Sequence, residues 1–132
     1  MTEARVPPAR LAARRVRGKL AEDAVVEFLY ARGFAIVGRN VRVGALELDV
    51  VGRRDDLIVL VEVRTRGRGS FAGALASVDA KKRSAITRAA ERYWRESLSK
   101  LAGVERLRID VAAVTFEDDA TQVEYFEGAL TA

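Results

Sequence analysis

The 132-residue chain has no cysteine and no histidine. Those absences exclude disulfides, thiolate nucleophiles, Cys/His zinc sites and any Ser-His-Asp triad. Catalysis is left to carboxylates, Lys, Arg, Tyr or a metal held through oxygen, and oxygen-only ligation favours hard cations such as Mg²⁺ or Mn²⁺. Proline is confined to Pro7 and Pro8. No run approaches the roughly 18 apolar residues of a membrane span, and the opening "MTEARVPPARLAARRVRGK" carries charge where a signal peptide needs an apolar stretch. These features lead to the expectation of a cytoplasmic chain with no membrane partner. The length suits one domain, 1–132, with residues 1–9 expected to be flexible.

Charge is present but unevenly placed. The net charge is +4, yet residues 109–132 hold six acidic residues and no Lys or Arg, so residues 1–108 carry +10. Basic residues gather in the first 19 positions, in "RTRGR" (64–68) and in "KKR" (81–83), a distribution that suits a polyanionic partner such as nucleic acid. The plainer reading is an Arg-rich solvated surface, since Arg outnumbers Lys 19 to 4. Charge alone leaves both readings open.

Periodicity defines the elements. In "ARLAARRVRGKLAEDAVVEFLYARG", Leu20, Ala21, Ala24, Val25 and Phe28 recur at helical spacing, and Gly33 closes the helix. "FAIVGRNVRV" reads as an edge or twisted strand. "ALELDVV" alternates, with Leu46, Leu48 and Val50 on one face and Glu47, Asp49 and Val51 on the other. A five-residue turn, "GRRDD", leads to "LIVLVEVR", whose near-continuous apolar content predicts a central strand buried on both faces. "SVDAKKRSAITRAAERYWRESLSKL" is a second helix capped by Ser77 or Asp79, and "RLRIDVAAVTF" and "QVEYF" are strands around the turn "EDDAT". The predicted class is α/β: a mixed sheet of about five strands flanked by helices, in the order α-β-β-β-α-β-β.

Chemistry concentrates between residues 46 and 64. Alternation puts Glu62 and Arg64 on one face of their strand, and hairpin pairing brings them toward Asp49 and Glu47. Carboxylates inside strands are costly unless a cation offsets them. A divalent metal held by Asp49 and Glu62 would do so and would suit phosphodiester hydrolysis, with Arg64 as a fixed charge against the transition state. Exposed strand ends, with Glu62 paired locally to an Arg, explain the same residues structurally. "RGRGS" lacks the spacing of a P-loop, and Tyr93 and Trp94 are open to a stacking or a core role.

The stretch from "GKLAEDAVVEFLYARG" through "LELDVVGRRDDLIVLVEVR" to "DAKKRSAITRAAERYW" resembles the bacterial YraN-like family of uncharacterised proteins. That family is similar to archaeal Holliday junction resolvases and to the PD-(D/E)xK nuclease superfamily; the resemblance covers about residues 18–126. It implies a restriction-endonuclease-like core. By position, the family's Gly-x-x-x-Glu falls on Gly18 and Glu22, its Glu-x-Asp on Glu47 and Asp49, and its Glu-x-Lys/Arg on Glu62, Val63 and Arg64. Asp49 and Glu62 would hold Mg²⁺ or Mn²⁺, helped by the Val63 carbonyl. Glu22 would approach from the helix and Glu47 would assist.

The resemblance also has departures. Leu46 stands where the family usually has Gly before Glu-x-Asp, and Arg64 replaces the superfamily's Lys. Guanidinium stays charged, so Arg64 can stabilise but cannot act as the general base. Arg66, Arg68, Lys81, Lys82 and Arg83 are the expected nucleic-acid contacts, with Lys81 and Lys82 also readable as helix-surface charge. The resulting expectation is a metal-dependent endonuclease acting on DNA, branched or damaged, with a homodimer as a candidate assembly. The alternatives are a nucleic-acid-binding module that cuts nothing and a small interaction protein.

Overall fold

The computed structural model describes residues 8–66, 78–117 and 120–131. The elements are α1 (Pro8–Ala31), β1 (Ala35–Val43), β2 (Leu46–Arg54), β3 (Leu57–Arg66), α2 (Ala80–Glu96), a short 3₁₀ turn (Leu98–Lys100), β4 (Arg106–Glu117) and β5 (Ala120–Phe126). This is the predicted order. Most of the expected flexible start, Arg68 and the "RGRGS" loop, and Ser77 as a cap lie outside the described residues.

Among the described residues the sheet runs β1-β2-β3-β4-β5, antiparallel except where β3 and β4 pair in parallel. A parallel pair needs a crossover, and α2 supplies it. The helices lie on opposite faces. Ala21, Val25 and Leu29 of α1 pack with Val50, Val59, Val61, Ala112 and Val114. On the other face, Ile86, Ala89 and Ala90 of α2 meet Leu48, Val51, Ile58, Leu60 and Val111, with Tyr93 and Trp94 against the same core. This two-sided cover explains the unbroken apolar run of β3, because residues 57–61 are all buried.

The helical stripe of α1 is narrower than its periodicity predicts. Leu20 remains 48% exposed, and the buried line is Ala21, Val25 and Leu29, four residues apart. The helix ends where expected. Gly33 has φ 85 and donates to the Tyr30 carbonyl at 3.1 Å, while Phe34 donates to the Leu29 carbonyl at 3.0 Å. These two bonds satisfy terminal carbonyls, and the left-handed backbone suits glycine.

The hairpin between β2 and β3 is tighter than the five-residue turn read from sequence. Both strands extend until only Asp55 and Asp56 remain between them, with Asp55 at φ 55. The alternation of β2 also breaks. Leu46 and Leu48 pack toward α2 and so does Val51, whereas Val50 packs toward α1. The strand therefore changes face at Asp49. On β1 the ladder joins Arg39 to Val50 and Val41 to Leu48, skipping Asn40, which has φ 52. The expected grouping of Leu46, Leu48 and Val50 fails because this irregularity spans both strands.

Candidate active site

The β2–β3 ladder ends at Val50 paired with Val61, so Asp49 and Glu62 stand just beyond it, where the two strands part. The Val63 N–H donates to Asp49 Oδ2 at 2.8 Å across this fork, fixing the carboxylate between the strands. Glu62 is only 8% exposed. Arg64 Nη2 lies 3.3 Å from Glu62 Oε1, and Lys82 Nζ approaches the same oxygen at 4.0 Å from the first turn of α2. Asp79 caps that turn, accepting from the Lys82 N–H at 2.8 Å, so one side chain both starts the helix and sets the backbone that carries Lys82.

Burial first, and Glu62 second, push the Asp49 carboxyl from 3.8 up to about 7. Glu62 is raised by burial as well, with Lys82 and Arg64 pulling it back down. With Asp49 raised to about 7 by burial and by Glu62, the pair resists full ionisation toward neutral pH and retains a proton that a bound cation would replace. The hard oxygen donors fit Mg²⁺ or Mn²⁺, whose binding would discharge that proton. Among the described residues Arg64 Nε is buried with no hydrogen-bond partner. Leaving a donor in that condition costs about 1–3 kcal/mol.

Not every expected residue joins this pair. Glu22 acts on Asp49 only through its charge. Its Oε1 is held by Asn40 Nδ2 at 3.2 Å and Arg39 Nη2 at 3.5 Å. Among the described residues no three acidic side chains form a metal-binding group. Glu47 is exposed and lies opposite Arg42 on β1, not against Asp49. Val63 enters through its N–H. Arg66 ends β3, Arg68 lies outside the described residues, and Lys81 and Arg83 are exposed on α2.

Arg39 and Asn40 are absent from the residues picked out by sequence. The signal was an adjacent Arg-Asn pair in the middle of the edge strand "AIVGRNVRV". Asp110 was passed over too. It is fully buried on β4 and accepts from Arg108 Nε at 2.9 Å, Arg108 Nη2 at 3.0 Å, the Gly128 N–H at 2.6 Å and the Tyr125 hydroxyl. This network joins β4, β5 and the turn after β5, on the α1 side of the sheet.

With this geometry in hand, residues 21–114 match the family described as "Uncharacterised protein family UPF0102". The chain belongs to the UPF0102 family. This is the family of the YraN-like resemblance. A UPF0102 protein of Sorangium cellulosum is 57% identical over 104 residues, covering 79% of this chain and 72% of that one. Another, from Desulforapulum autotrophicum, is 38% identical over 113 residues, covering 86% and 91%. A third, from Dictyoglomus turgidum, is 36% identical over 97 residues, covering 74% and 80%. A solved structure of SfsA from Pyrococcus furiosus in complex with Ca²⁺ is similar at a TM-score of 0.40 and 14% identity, over 86% of this chain and 63% of that one. Among the described residues no helix is long and apolar enough to cross a membrane.

Proposed function

We propose that this UPF0102 chain is a metal-dependent endonuclease that hydrolyses phosphodiester bonds of DNA. The observation that carries the reading is the buried Asp49–Glu62 pair at the β2–β3 fork, flanked by Arg64 and Lys82. Asp49 and Glu62 would hold the cation, with the Val63 carbonyl as a further oxygen. A bound Mg²⁺ or Mn²⁺ supplies neutralisation of the scissile phosphate and activation of the attacking water. The chain's own residues do the rest. The Val63 N–H keeps Asp49 in place between the strands. Arg64 adds a fixed positive charge beside Glu62, suited to a phosphate oxygen whose charge grows in the transition state. Lys82 can pass a proton to the departing oxygen, a task closed to guanidinium.

One observation favours a second reading, a module of the same fold that binds nucleic acid and cuts nothing. Glu62 Oε1 already has two cationic neighbours within 4.0 Å, which partly neutralise it without metal. A panel of branched, flapped, single-stranded and duplex DNA, with Mg²⁺ or Mn²⁺ varied, separates the two. The endonuclease reading expects metal-dependent cleavage that Asp49→Ala and Glu62→Ala abolish while binding survives. Cleavage unchanged in both variants would overturn it. Salt-sensitive binding with no cleavage in any metal assigns the chain to the second reading.

A further inference from the structure

Gly18 stands inside α1, where glycine is less favourable than alanine. Among the described residues the common structural reason for such a glycine, a neighbouring element packed against it, is missing: a Cβ built there meets nothing within 4 Å. What Gly18 does line is a cavity of about 530 Å³ between α1 and β1, together with Arg15, Lys19, Glu22, Arg39 and Asn40. Three of those residues are cationic and one is anionic. Arg15 and Lys19 are exposed, sit one helical turn apart, and have no ion pair among the described residues. Arg39 faces them from β1, held by Asp23 at 2.8 Å and Glu22 at 3.5 Å. The cavity therefore has a cationic rim, a floor without a side chain, and one wall shared with the carboxylate that acts on Asp49.

We infer that this cavity is a binding subsite for a backbone phosphodiester of the nucleic acid, with Gly18 kept small so that the phosphate can approach the helix. Arg15 and Lys19 bind it from α1 and Arg39 from β1. The inference rests on the nucleic-acid reading above and extends it: one strand runs past Glu22, between the Asp49–Glu62 fork and this cleft.

The test uses the full chain with Gly18→Leu and Gly18→Ala, substitutions that favour helix and whose Cβ meets nothing within 4 Å among the described residues. Thermal midpoint, affinity for a labelled DNA hairpin, and the slope of log K against log salt are measured for each. The expected result is an unchanged or higher midpoint, with affinity lowered about tenfold by Leu, less by Ala, and a slope smaller by about 0.9 for the lost phosphate contact. Gly18→Leu that folds and binds with wild-type affinity and slope overturns the subsite. Should that variant not fold, Lys19→Gln replaces it, and wild-type affinity and slope there overturn the subsite equally. Asp49→Ala run alongside keeps the two ideas apart. Loss of affinity at Gly18 with undiminished cleavage by Asp49→Ala upholds the subsite and discards the fork as the reactive centre; the converse pattern discards the subsite alone.

Discussion

Asp49→Asn isolates what the candidate site costs the fold. Asparagine keeps the volume and an oxygen for the Val63 N–H, and removes the charge that burial and Glu62 oppose. An aspartate held at about 7 when folded and 3.8 when unfolded is destabilised on ionising by about 4 kcal/mol. Glu62 shares in that repulsion, which leaves about 2–4 kcal/mol to Asp49 at pH 8. The sign follows from proton counting. Between about pH 4 and 7 the unfolded chain has released this proton and the folded chain retains it, so the stability associated with Asp49 falls as pH rises through that window. Urea unfolding of the wild type and Asp49→Asn, in metal-free buffer from pH 4 to pH 8, reads the difference directly. The variant is expected to be the more stable at pH 8 by about 2–4 kcal/mol, and the two should converge near pH 4. Equal stability at pH 8, or an advantage independent of pH, would refute the claim that this carboxylate is held against its own preference. A gain in stability on neutralising Asp49 is what a trade between the fold and the proposed function would produce.

The Asp110 network makes the opposite prediction. Asp110→Ala strips the acceptor from Arg108, Tyr125 and Gly128, leaving Arg108 only Glu127 at 3.7 Å among the described residues, so a loss of about 3–5 kcal/mol is expected in urea unfolding. Tyr125 is raised above its ordinary value by burial first and by its bond to Asp110 second. The unfolded chain therefore releases that proton first, and stability should fall as pH climbs past about 10, a slope that Tyr125→Phe removes in the same titration. Asp79→Ala deletes the cap of α2 and should lower stability by about 1 kcal/mol in thermal unfolding, with fraying of the turn that carries Lys82 seen as faster amide exchange there.

Sequence alone determined the parts whose physics is local. Apolar spacing set the two helices and the order of strands, Gly33 ended α1 because a left-handed terminus suits glycine, and the unbroken "LIVLV" marked a strand covered on both faces. The acids at 49 and 62 stood out because buried charge is costly wherever the chain goes. Tertiary structure alone decided how those residues meet. No alternation rule foretells that β2 changes face at Asp49, since the break is a joint property of β2 and the left-handed Asn40 across the ladder. Nor does spacing show that Glu22 is held by Arg39 and Asn40, or that Arg108, Tyr125 and Gly128 converge on Asp110. Those contacts join residues on different elements, and side-chain partners separated in sequence become neighbours only once the sheet has brought its strands side by side.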